Sequence, residues 1–290
     1  MPDRSRFFYS VRSIFRIFKP LMNRFHIRSA FLNVAESREL RISYTTPVRT
    51  LKPFLLLFRP LKTEHKLERI GGNDDGGYLV PKSELSDIDA CFSIGCNFVW
   101  DFEKEIGEKY GVPSIIVDDV SKKPNNLTPL QSYFPGWLGK FTNDKTISLE
   151  DLIKRSHFSK SGNLLLQMDI EGSEFECLLY TPKTVLKQFR IMVIEIHNLQ
   201  NILHHHLFLK YYYPFMKMIL DDFEVVHVHP NNACGVWQYK GIEFPEVIEV
   251  TFLRRDCVKS TEGYSSLPHE LDQLNSQENP PISINWETFL

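Results

Sequence analysis

At 290 residues, with 42% apolar and 24% charged side chains, the chain has material for one substantial core plus small appendages. A formal net charge of −2 supplies no overall field for nucleic acid, so no nucleic-acid partner is expected. No apolar run approaches the roughly 18 residues of a spanning helix. The five cysteines, Cys91, Cys96, Cys177, Cys234 and Cys257, are odd in number and contain no CxxC pair, which fits a reducing, cytoplasmic setting.

Residues 4–28 interleave Arg4, Arg6, Arg12, Arg16, Lys19, Arg24 and Arg28 with Phe7, Phe8, Val11, Ile14, Phe15, Phe18, Leu21, Met22 and Phe25. A basic amphipathic helix of this kind suits peripheral contact with an anionic membrane. The same stripe equally suits a helix packed on its own domain, because Pro20 would interrupt one continuous membrane helix. The division expected is therefore a helical extension over 1–66, a catalytic-type domain over 67–258, and a polar arm over 259–290.

Within 71–78 the run Gly71-Gly72-Asn73-Asp74-Asp75-Gly76-Gly77-Tyr78 reads either as a tight hairpin turn or as backbone free to approach a ligand. On the second reading Asp75, Gly77 and Tyr78 are candidate binding residues. Short apolar runs then alternate with helical patterns, the mark of βαβ units. Strands are expected at 90–94, 114–117, 164–168, 191–196, 223–228 and 247–253, and helices at 102–110, 149–155, 175–179 and 207–220. The outcome is an α/β fold of Rossmann-like type.

Polar groups gather where these strands end, which is where open α/β sheets bind ligands. The first strand runs into Gly95, Cys96 and Asn97, with Glu103 opening the next helix. A glycine there lets backbone approach a nucleotide-like ligand, and the missing GxGxxG pattern argues against a pyrophosphate-binding oxidoreductase. The second strand ends in Asp118, placed to accept bonds from ribose hydroxyls. The third ends Asp169-Ile170-Glu171-Gly172, the fourth Glu195-Ile196-His197-Asn198, and the fifth carries His227, His229, Asn231 and Asn232. Carboxylate, imidazole and carboxamide on neighbouring strand ends can deprotonate a hydroxyl or hold a divalent cation that acidifies it. The candidates are Asp169, His197, Glu195 and Glu171 for catalysis, with Asp169, Glu195 and Asn198 as the alternative metal set. His204, His205 and His206 lack matching partners and read as a solvated segment.

These residues resemble the FkbM-like methyltransferases of the class I, S-adenosylmethionine-dependent superfamily. Met168-Asp169-Ile170-Glu171-Gly172-Ser173-Glu174 is similar to that family's K-I-D-V-E-G-x-E signature, and Val193-Ile194-Glu195-Ile196-His197 to its E-x-H strand. Asn73 to Val80 and Ile147 to Leu152 supply weaker matches. The resemblance implies a seven-stranded, mostly parallel sheet with helices on both faces and an antiparallel last hairpin. It also implies S-adenosylmethionine lying over Gly95, Cys96 and Asn97 with its ribose near Asp118, and an acceptor near Asp169, Glu195 and His197. Ser93, Asn97 and Gln167 depart from the family pattern, Gln167 standing where a lysine is usual. The activity implied is O-methylation of a small-molecule, glycan or glycolipid hydroxyl, on which Trp100, Trp137 and Trp237 could stack. The rival is a scaffold that keeps the fold, has lost turnover, and docks through its amino-terminal helix.

Overall fold

The computed structural model describes residues 44–119 and 123–290, and the basic segment 4–28 lies outside them. Thr45–Leu290 forms one compact unit, which holds the 45–66 region, residues 67–258 and the arm over 259–290. All five cysteines are free thiols, and four of them are buried. Among the described residues no helix is long and apolar enough to cross a membrane.

Seven strands make the central sheet: β1 Ala90–Ile94, β2 Ser114–Asp118, β3 Gln131–Pro135, β4 Leu164–Met168, β5 Phe189–Ile196, β6 Phe223–Pro230 and β7 Ile248–Arg254. Their order is β6-β7-β5-β4-β1-β2-β3. The β1, β2, β3, β4 and β5 ladders are parallel, and β7 inserts antiparallel between β5 and β6. The order reverses between β1 and β4, so a crevice opens over their carboxyl ends. Gly95 and Asp169 are the residues that leave those two strands.

β1 and β4 are buried along their whole length, as expected of central parallel strands covered on both faces. Alternation sends Leu164, Leu166 and Met168 into one core and Leu165 into the other. Helices α1 Val48–Leu55, α3 Leu149–Arg155, α4 Glu174–Leu179 and α5 Tyr213–Leu220 cover the first face. The second face is covered by α2 Asp101–Tyr110 and a hairpin pairing Leu67–Ile70 with Tyr78–Pro81. Ser148 caps α3 by accepting from the Asp151 amide at 3.2 Å.

Two elements differ from the expected ones. β3 is an edge strand with a largely solvent-facing pattern, and no apolar run announces it. The helix expected over 207–220 is broken by a π turn at Phe208–Tyr212 before α5 begins. Pro214 at the start of α5 has no N–H for the preceding turn, and the widened turn absorbs that loss.

Candidate active site

Gly95 leaves β1 with φ 83°, and a Cβ built on it would stand 1.8 Å from the Asp169 carbonyl oxygen. Only glycine lets the β1 and β4 exits touch in this way. Asn97 and Phe98 follow in left-handed backbone (φ 42° and 68°), an uncommon conformation for a bulky residue. Asp118 holds this turn: its Oδ2 accepts the amides of Cys96 and Asn97 at 3.0 and 2.9 Å, and its Oδ1 accepts that of Asp119 at 2.7 Å. Burial, together with the Asp118 charge, pushes the Cys96 thiol up to about 12, so it stays protonated.

Glu103 sits beneath the turn, 2% exposed, hydrogen-bonded to Ser93. Ser93 Oγ also lies 2.8 Å from Gln167 Oε1, and Gln167 Nε2 donates to the Tyr78 hydroxyl at 3.4 Å. One serine proton cannot serve two acceptors. Protonated Glu103 resolves the count by donating to Ser93, which then donates to Gln167, and burial does push Glu103 up to about 7. Tyr78 is likewise in the core, edge-on to Phe102. Gln167 thus closes a buried polar chain.

The glycine-rich loop caps the hairpin and lies against the same turn. Gly71 N–H donates to Glu105 at 2.6 Å, Gly76 packs on Val99, and Gly77 is pressed against the Gly72 carbonyl. Arg69 fixes the loop through the carbonyls of Gly72 and Asp74. Asp75 is exposed and projects toward β5 and β7, where its ligand oxygen falls within 4.8 Å of those of Glu195 and Glu249.

At the end of β4 the chain turns through Glu171 (φ 56°) and Gly172 (φ 101°) into α4. Glu174, fully buried, accepts the amides of Ile170 and Gly172 through Oε1, and the same oxygen lies 2.9 Å from His197 Nδ1. The other face of the imidazole, Nε2, is 3.6 Å from Asp169 Oδ1 and 3.5 Å from Glu171 Oε2. Burial lowers the affinity of His197 for a proton, but Glu174, Asp169 and Glu171 outweigh it and leave the group raised. Burial pushes Asp169 up to about 7 despite the attraction of His197, and its Oδ1 has no hydrogen-bond partner. Glu171 is exposed.

Asp169 and His197 therefore meet, with Glu171 beside them. Glu195 belongs to a second group: it accepts from Asn231 Nδ2 at 2.7 Å and stands opposite Glu249 in the β5–β7 register. Burial, reinforced by Asp169 and Glu249, raises Glu195 well above the usual carboxylate range. The alternative metal set is thus divided, since Asp169 and Glu195 fall in different acidic groups and Asn198 Oδ1 faces Gln200. Glu174, Glu249 and Asn275 carry no role in the sequence reading. Glu174 was visible as the last acid of the signature. Glu249 was visible only as an acid inside an apolar strand.

Residues 101–220 match the methyltransferase FkbM domain. Over those 120 of its 290 residues the chain is similar to an FkbM methyltransferase domain. The matched stretch holds Asp169, Glu171, Glu174, Glu195 and His197, while Gly95, Asp75, Glu249 and the arm lie outside it. No curated protein sequence matches the chain. Among solved structures it is similar to MtNAS in complex with S-adenosylmethionine, at 11% identity and TM-score 0.27 over 58% of this chain and 55% of that one. It is also similar to a precorrin-6y methyltransferase from Geobacter metallireducens, at 10% identity and TM-score 0.30 over 59% of this chain and 83% of that one. The chain thus spans about half the length of the first. The fold assignment rests on the strand order itself.

Proposed function

We propose that the FkbM-like domain methylates a hydroxyl of its acceptor with S-adenosylmethionine as donor. The observation that carries this reading is the Glu174–His197–Asp169 arrangement at the ends of β4 and β5, beside the glycine turn that leaves β1. Bound over Gly95, Cys96 and Asn97, the donor supplies an electrophilic methyl group on a sulfonium. The residues fit it: Asp118 lies at the β2 end for ribose, and the unpartnered, part-buried Asp169 oxygen offers an acceptor to a cationic group.

The chain's own part is proton management. An alcohol is a weak nucleophile at its free pKa, so a base within reach is needed. Glu174 accepts the Nδ1 proton of His197, which presents Nε2 as the basic nitrogen. In taking the methyl group that the bound donor would supply, the acceptor hydroxyl would pass its proton to Nε2. Asp169 and Glu171 then face the imidazolium and stabilise its charge.

The preferred acceptor is a glycan or glycolipid hydroxyl. Trp137 and Trp237 support this by standing exposed as stacking surfaces, and residues 4–28 would hold the protein at a membrane carrying such an acceptor. Incubation with labelled donor and a panel of glycan and lipid extracts, with the product identified by mass, tests it. Labelled product is expected from the wild type and not from His197→Ala, while an unlabelled panel together with no donor binding would support the scaffold reading.

A further inference from the structure

The carboxyl-terminal arm is held in two different ways. At one end Thr261–Tyr264 pairs antiparallel with Leu61–Thr63, and at the other Trp286 and Phe289 are buried in the first core. Between them, over 265–285, no apolar side chain is fully buried, and only Leu267 and Ile284, near the two ends, pack partly on the core.

Among the described residues the middle of the arm is fastened chiefly by polar contacts, with the His269 ring edge-on to His227 as well. Asp272 Oδ1 stands 3.0 Å from His227 Nε2 and 3.7 Å from His229 Nδ1. Asn275 Nδ2 donates to Glu249 Oε1 at 2.6 Å and to Asp75 Oδ1 at 3.0 Å, and its Oδ1 is 3.1 Å from His229 Nε2. Asn232 bonds the backbone of Ser276 and Asn279. Beneath lie Glu195 and Glu249, only 4% and 5% exposed, at the strand ends next to His197. A segment with firm ends and a polar middle opens locally at far lower cost than the sheet it covers.

We propose that residues 268–283 form a gate over the acceptor side of the site, latched by Asp272 and Asn275. Asp75 connects the gate to the glycine loop, which in turn lies on the Gly95–Val99 turn through Gly76. Filling that turn therefore steadies the loop and closes the gate. This connection rests on the donor reading above, whereas the gate itself does not.

Hydrogen exchange followed by mass spectrometry on the full chain tests both parts, with S-adenosylhomocysteine as the probe and its binding followed by calorimetry. Amides of 268–283 should exchange at least ~10-fold faster than those of β4 and β5, and faster again in Asp272→Asn and Asn275→Ala. Exchange as slow as in β5, or unchanged in both variants, overturns the gate. Bound probe should slow the segment in the wild type and not in Asn275→Ala; no slowing with the probe bound overturns the connection. If calorimetry finds no binding, the donor reading falls and the variants alone judge the gate.

Discussion

Glu174 Oε1 lies 2.9 Å from Nδ1 of His197 while also accepting the amides of Ile170 and Gly172. One buried carboxylate thereby fixes both the β4 exit and the tautomer of the imidazole. Glu174→Gln keeps the shape but replaces one acceptor oxygen with a donor. Turnover should fall by about 10²–10⁴-fold, the span of a lost general base, with donor affinity changed little. Steady-state kinetics and calorimetry check this, and a loss confined to donor binding would contradict it.

Asp118 is expected to serve both the turn and the donor. Asp118→Ala strands the amides of Cys96, Asn97 and Asp119, at a cost of about 1–3 kcal/mol for an unsatisfied buried group. A lower melting temperature and weaker S-adenosylhomocysteine binding should appear together. Asp118→Asn should rescue part of the stability, because its carbonyl oxygen still accepts.

Glu103 gives a pH signature. Its carboxyl is raised from 4.5 to about 7 by burial, so the fold favours the neutral form. The associated stability is complete below about pH 4.5 and is lost as pH rises through 7. At about 1.4 kcal/mol per unit the loss reaches up to roughly 3 kcal/mol. Glu103→Gln, whose amide can donate to Ser93, should match the wild type at pH 5 and exceed it in stability at pH 8. Denaturant midpoints at the two pH values decide, and identical wild-type and variant curves would contradict the protonated assignment.

Asp169, Glu171 and His197 bring ligand atoms within 4.8 Å of one another, a grouping that could bind a cation instead of working as a base. With His197 as base, EDTA should leave turnover unchanged. Activity abolished by EDTA and restored by magnesium would transfer the role of His197 from base to ligand.

The chemistry-bearing strands were legible because full burial leaves a plain apolar signature. β1, β4 and α3 fall on the residues expected, and β5 and β6 run two residues longer than their apolar runs. β3 was illegible: Gln131-Ser132-Tyr133-Phe134-Pro135 lies at the sheet edge, where one face meets solvent and ladder bonds form on one side only. The candidate site was readable as a set of strand-end residues, since topology alone brings such ends together. Its division was not. Whether Glu195 sides with Asp169 or with Glu249 depends on the β5–β7 register, and the reach of Asn275 to Glu249 depends on an arm with no periodic pattern.

The central claim is that His197, held by Glu174, removes the acceptor proton in a methyl transfer from S-adenosylmethionine. Transfer of labelled methyl by the wild type, His197→Ala and Asp169→Ala, alongside calorimetry of donor binding, tests it most directly. The account predicts product from the wild type, none above background from either variant, and measurable donor binding in all three. Undiminished product from both variants would contradict it.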